Sequence, residues 1–264
     1  MHGYYEKKLE QDPGIDRSLS FLWKKDRYVT SECENYLSAI QDQELPTKYL
    51  RYKRVRDKGN IPNHNNKCRL CMSSVEDIGH ILAGCPQMSS RFYLPLRHDE
   101  VAKTFLYSHI KKYNPNKKIT LSNESEYIYT EKPREYWWNV SIKTATKVPH
   151  NKPDLVIWNY ETKVCTIVEF SCPLDINTTK KVSEKLEVYA PLVRNLQILH
   201  PRYKFEIAPI VVGAMGYVPK CLVTYLKMVG FEGKDIKLLI RRMQVKSISG
   251  SVKICKTFLN FNDF

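Results

Sequence analysis

The chain has 264 residues, with 42 Lys and Arg against 28 Asp and Glu, a formal charge of +14 and 42% apolar residues. That length suffices for one sizeable core plus a smaller module, and the positive excess points to a polyanionic partner, nucleic acid foremost. The N-terminus lacks an apolar signal core, and the longest apolar stretch, Ile207 to Val218, is too short and too interrupted by Pro and Gly to span a bilayer, so no membrane partner and a nuclear or otherwise intracellular, non-secreted protein are expected.

Residues 1 to 30 are mixed and uninformative. Ser31-Glu-Cys-Glu34 has the form of a capping box, and Cys33, Tyr36, Leu37 and Ile40 continue at helical spacing. Pro46 interrupts, and a second helix is expected from Thr47 to Gly59. It carries Lys48, Arg51, Lys53, Arg54, Arg56 and Lys58 against Asp57 alone, which is either a solvated face or a phosphate contact. Residues 1–60 thus read as a basic helical segment.

Eight cysteines in an intracellular chain suggest metal ligands and free thiols instead of a disulfide framework. The spacing Cys68-x2-Cys71, eight residues, His80, four residues, Cys85 supports this. Cys-x2-Cys offers two thiolates on one turn, and Ser74-Val-Glu-Asp77 can cap a short helix presenting His80. Gly84 lets the chain turn so that Cys85 completes a tetrahedron, and three sulfurs with one imidazole suit structural Zn²⁺. Lys67 and Arg69 flank Cys68 and join Arg51, Lys53, Arg54 and Arg56 as candidate nucleic-acid contacts. Arg97-His98-Asp99 opens a helix expected to reach Tyr113. Arg97 and His98 are further candidates for nucleic acid, although for His98 a local hydrogen-bond network is the favoured role. Residues 61–112 form the knuckle and its following helix.

The polar stretch Asn114 to Glu126 marks a linker, placed at 113–130, ahead of a domain at 131–264. Trp137, Trp138, Val140 and Ile142 alternate, predicting a first strand from Tyr136 to Thr144. Asp154-Leu-Val-Ile-Trp158 and Val164-Cys-Thr-Ile-Val-Glu-Phe170 are strand-length runs joined by a polar turn. Antiparallel pairing brings Asp154 opposite Glu169, and two carboxylates at strand ends make a site for Mg²⁺ or Mn²⁺. Asn177 and Thr178 offer N-caps to a helix bearing Val182, Leu186, Tyr189 and Val193, from which Lys185 can lean over the acids. Asp175 is a candidate for an outer-shell role. Tyr203 to Val212 reads as a buried strand, Cys221 to Val229 as a helix, and Asp235 to Lys246 as another. Arg241, Arg242 and Lys246 near the end of that last helix serve either the helix dipole or DNA.

Pro153-Asp154, fourteen residues, Glu169, then Lys185-Leu-Glu-Val-Tyr189 resembles the restriction-like, PD-(D/E)XK-type endonuclease of non-LTR retrotransposons. The zinc-type spacing, the Arg97-His98 dipeptide and Ser247 to Ile254 resemble the same family, so the resemblance spans roughly residues 35 to 258. It implies an α/β, restriction-endonuclease-like mixed sheet flanked by helices, preceded by a small knuckle and helical module. It also implies a metal-dependent nick in DNA, with Asp154, Glu169 and Lys185 catalytic and Lys181 and Tyr189 further candidates on the family's Lys-x-x-Lys-Tyr helix. DNA and element RNA would be partners, with a reverse transcriptase acting in trans, since no Asp-Asp pair occurs here. The orthodox Lys two residues after the acid is Ser171, and the second helix Lys is Val188. A silent zinc-dependent nucleic-acid-binding module is the alternative.

Overall fold

The computed structural model describes residue 9 and residues 11–26, 29–60, 65–116 and 126–261. Its centre is one five-stranded sheet in chain order: β1 (Tyr127–Glu131), β2 (Arg134–Trp138), β3 (Leu155–Asn159), β4 (Val164–Ser171) and β5 (Lys204–Val211). The first four strands are antiparallel neighbours, whereas β4 and β5 run parallel. A parallel pair needs a crossover, and the segment between these two forms the helix Thr178–Leu199.

Both faces of the sheet are covered, which is why β3 and β4 read as nearly unbroken apolar runs. Leu155, Ile157, Val168, Phe170, Ala208 and Ile210 point into one core. Val156, Trp158, Cys165, Ile167 and Phe205 point into the other, closed by Tyr189, Leu192 and Leu196 of the crossover helix.

Seven α-helices surround the sheet: α1 (Arg17–Ser20), α2 (Ser31–Gln41), α3 (Lys48–Asp57), α4 (Asp99–Tyr113), α5 (Thr178–Leu199), α6 (Leu222–Met228) and α7 (Gly233–Asn260), counted among the described residues. At 28 residues α7 is about 42 Å long. Its first half packs Ile236, Leu239, Ile240 and Met243 into the sheet core with α4. Its second half packs Ile248, Val252, Ile254 and Phe258 against Leu37 of α2 and against Ile78, Ile81, Leu82 and Met88 of the cysteine-rich segment. The segments drawn at 1–60, 61–112 and 131–264 therefore share a helix and, through it, their cores. Among the described residues no helix is long and apolar enough to cross a membrane.

Several local expectations are corrected. Thr30, not Ser31, caps α2, its hydroxyl accepting from the Cys33 amide. The strand expected over Tyr136–Thr144 is β2, ending at Trp138, because Asn139 turns into the left-handed region at φ 50°. The segment at 113–130 holds the end of α4 and most of β1, whose short Tyr-Ile-Tyr-Thr alternation pairs with β2; its residues 117–125 lie outside the described set. Neither Asn177 nor Thr178 caps α5 by its side chain; the Thr178 hydroxyl instead donates to the Asp175 carbonyl. The helix expected to stop at Lys246 continues to Asn260. Arg241, Arg242 and Lys246 consequently lie mid-helix, where no end dipole is available to them.

Candidate active site and metal centre

The β3–β4 register pairs Leu155 with Val168, so the next step outward sets Asp154 opposite Glu169. Each acid is latched to the other strand. The Asp154 amide donates to Glu169 Oε1 at 3.0 Å, and the Phe170 amide donates to Asp154 Oδ2 at 2.8 Å. From the first half of α5, Lys185 Nζ donates to Glu169 Oε2 at 2.7 Å. Tyr189, one turn later, places its ring 5.9 Å from that ammonium and its hydroxyl 3.4 Å from the Lys152 carbonyl. A fourth group comes from outside the sheet: His98 Nε2 stands 3.3 Å from Asp154 Oδ2, and its Nδ1 stands 2.9 Å from Asp99 Oδ1. Glu169 is fully buried, while the Asp154 side chain keeps 20% of its exposure.

Burial and the neighbouring Asp154 charge push Glu169 up to about 7, against the pull of Lys185. Burial alone would raise Asp154 too, but His98 and Lys185 hold it below the usual carboxylate range. Burial disfavours the His98 cation, yet hydrogen bonds to Asp154 and Asp99 outweigh it and raise the imidazole to about 10. Two acids thus share two cationic partners at a low-dielectric strand end. Carboxylate oxygens are the ligand type that hard divalent cations such as Mg²⁺ or Mn²⁺ take. Oδ1 of Asp154, with no hydrogen bond among the described residues, is the oxygen available to one.

Other candidates are placed differently. Lys181 Nζ donates to Glu184 Oε2 at 2.7 Å on the same helix and lines a cavity of about 350 Å³ with His98, Ser171, Asn177 and Lys180. Ser171 closes β4 and is buried, so the place of the orthodox lysine holds a short hydroxyl. Asp175 is a structural group: its buried carboxylate accepts the Met215 and Tyr217 amides at 3.0 and 2.9 Å. A Cβ on Gly213 would come within 2.1 Å of it, so only glycine fits there. Arg97 is corrected as a phosphate contact, being 3% exposed and bonded to the Leu82 carbonyl and Ser251 Oγ. Arg69 is likewise interior, forming a paired fork with the buried Glu76 carboxylate, whose other bonds go to the Lys48 and Arg69 amides. Arg51, Arg54, Arg56 and Lys67 are exposed and Lys53 is half-buried, with Arg54 salt-bridged to Glu44.

Cys68, Cys71, His80 and Cys85 converge, their ligand atoms all within 4.8 Å of one another. Cys68 Sγ and Cys85 Sγ are 3.8 Å apart, and Cys71 Sγ is 3.3 Å from His80 Nε2. A tetrahedral ion with ~2.3 Å sulfur bonds puts its sulfurs about 3.8 Å from each other, so the cluster is compatible with zinc binding. Asp77, the last residue of the expected Ser74–Asp77 cap, accepts the His80 amide at 2.7 Å and starts the turn that presents the imidazole. That turn, His80–Gly84, is a wide π-type one and ends on Cys85. Burial pushes the Cys85 thiol up to about 12 and Cys68 upward, whereas Ser73 and Ser74 draw Cys71 down to about 6 despite its burial.

Sequence reasoning missed Glu76, the strut between α3 and the cysteine-rich loop, because a single Glu among polar neighbours carries no spacing signal. It named His98 without finding its partner, which lies 56 residues away. Compared with known proteins, the chain matches no protein-family model and no curated protein.

Proposed function

We propose that this protein is a metal-dependent DNA endonuclease with a restriction-like core, related to the non-LTR retrotransposon enzymes it resembles. The observation that carries this reading is the Asp154–Glu169–Lys185 constellation at one end of β3 and β4. The antiparallel β3–β4 pair followed by α5 and a parallel β5 supports the restriction-like assignment. In the chemistry proposed, Asp154 and Glu169 would hold Mg²⁺ or Mn²⁺. Such an ion, when bound, polarises a phosphodiester and lowers the pKa of a water. Lys185, delivered from α5 into the same corner, neutralises charge that grows on the phosphoryl oxygens. His98 and the Phe170 amide fix the Asp154 carboxylate. The basic surface, including exposed Arg51, Arg54 and Arg56, holds duplex DNA by its phosphates. The reading carries with it a nuclear site of action and a reverse transcriptase supplied in trans.

A second reading rests on two positions. Ser171 and Val188 stand where the wider group and the family helix carry lysine, and with Lys185 alone the fold can serve as a silent, zinc-stabilised nucleic-acid-binding module. Nicking of supercoiled plasmid with Mg²⁺ or Mn²⁺ decides between the two. Conversion to open circle by the wild type, lost in Asp154→Ala and on chelation, is expected. Binding without nicking across metals and salt selects the silent module, and equal nicking by Asp154→Ala removes the enzyme reading.

A further inference from the structure

The helix that ends at His98 has unusual moorings. It spans Ser89–His98, is π-type, and runs directly into α4. The Tyr93 hydroxyl accepts the Cys85 amide at 3.1 Å and lies 2.8 and 3.1 Å from the Ile81 and His80 carbonyls. Arg97, its guanidinium 5.4 Å from the Tyr93 ring centroid, donates to the Leu82 carbonyl at 2.8 Å. The turn bounded by the zinc-type ligands His80 and Cys85 is therefore bonded to this helix through three successive carbonyls and one amide. Gly250 of α7 seats the other side; a Cβ there would meet the Leu96 carbonyl oxygen at 2.3 Å and the Arg97 Cα at 3.0 Å. One residue beyond Arg97, the same backbone puts His98 against Asp154. The His98 ring is held by Asp99 on Nδ1, by Asp154 on Nε2 and by an edge-on Phe170 ring at 6.4 Å.

From this placement we infer that His98 is a positioning residue for Asp154, and that the Cys68/Cys71/His80/Cys85 centre regulates the carboxylate site through it. The inference rests on the metal-dependent reading above. The formed cysteine–histidine turn sets the Ser89–His98 helix. His98 then holds Asp154 Oδ2 beside the Phe170 amide, and Oδ1 stays available as a ligand. A hydrogen-bonded partner of this kind orients a metal-binding carboxylate, and its loss costs about 10–100-fold in metal affinity. Tyr93 acts one step further back, so its hydroxyl influences Asp154 without touching it.

The test is Mn²⁺ binding to the full chain, read from the loss of the free-ion signal in electron paramagnetic resonance. His98→Gln and His98→Met are compared, since Gln keeps a donor near the Nε2 position and Met fills the space without one. Wild type is expected to bind Mn²⁺ through a site that Asp154→Ala removes. His98→Met weakens that site by roughly 10–100-fold and His98→Gln restores most of it. Tyr93→Phe, which keeps the ring and all four zinc-type ligands, weakens it several-fold. Equal Mn²⁺ affinity for wild type, His98→Met and Tyr93→Phe, with the site still lost in Asp154→Ala, would overturn the coupling and leave the carboxylate site standing. If wild type and Asp154→Ala bind Mn²⁺ identically, the metal-dependent reading falls and the coupling with it.

Discussion

At the scale of single residues, Lys185 and Lys181 separate cleanly. Both sit on α5, but Lys185 reaches Glu169 while Lys181 is tied to Glu184 on its own helix. On the proposed reading, Lys185→Ala lowers the nicking rate by about 100–1000-fold, the usual cost of one transition-state charge partner. Lys181→Ala lowers it far less, and single-turnover nicking under saturating metal measures both. His109 is a second informative residue. It is fully interior between the Tyr136 hydroxyl and the Val229 carbonyl, and burial lowers its pKa from 6.5 to about 3. Since the unfolded chain binds the proton more readily, stability rises with pH through the window between those values. Acidifying below pH 6.5 should therefore destabilise the fold by up to about 1.4 kcal/mol per pH unit from this group. Urea unfolding from pH 7 to pH 5 should show that slope in wild type and lack its His109 component in His109→Gln.

At the scale of elements, α7 joins the sheet to the cysteine-rich segment, and at Gly250 it passes close to the backbone of Leu96 and Arg97. Gly250→Ala would press a methyl group onto the Leu96 carbonyl and the Arg97 backbone. Overpacking of that kind costs about 1–3 kcal/mol, seen as a lowered thermal midpoint, and it loosens the mooring of the Ser89–His98 helix as well. Gln244 shows the same helix satisfying loop backbone, its amide donating to the Leu19 and Gly216 carbonyls. Beyond Lys246 the buried face of α7 includes Ser247, Gly250 and Ser251, short residues that carry little apolar signal, so only its first part was expected from sequence.

At the scale of the whole molecule, α7 carries a row of basic residues, Lys234, Lys237, Arg241, Arg242, Lys246, Lys253 and Lys256, against Asp235 alone. A groove of about 990 Å³ between α4 and α7 is lined by Lys25, Arg241, Arg242, Lys246 and Lys253 against Asp26 and Glu100. Arg241 is paired with Asp26 and Lys246 with Glu100. On the nucleic-acid reading, the exposed Arg242 and Lys253 contact phosphates, and the double variant Arg242→Gln/Lys253→Gln should reduce the slope of log affinity against log salt by about 1.4–1.8 for two lost contacts. Filter binding from 50 to 200 mM salt measures it, and an unchanged slope removes this groove from the binding surface.

Sequence by itself determined what local spacing and composition can encode. The Cys-x2-Cys, His, Cys order predicted a cluster that the fold brings together. The continuous apolar runs at Leu155–Trp158 and Val164–Phe170 predicted two buried strands whose ends carry Asp154 and Glu169. The net charge set the class of partner to propose. Tertiary structure alone decided which charged residues are available. Arg97 and Arg69 look like surface cations in a basic chain, yet packing against α7 and Glu76 buries both. Asp175 looks like a third acid near the site, yet it binds the loop after β5. His98 finds Asp154 only because the cysteine-rich turn, the Ser89–His98 helix and the sheet are packed around one helix, α7. These pairings join residues distant in the chain, and a periodicity of two or of 3.6 carries no information about them.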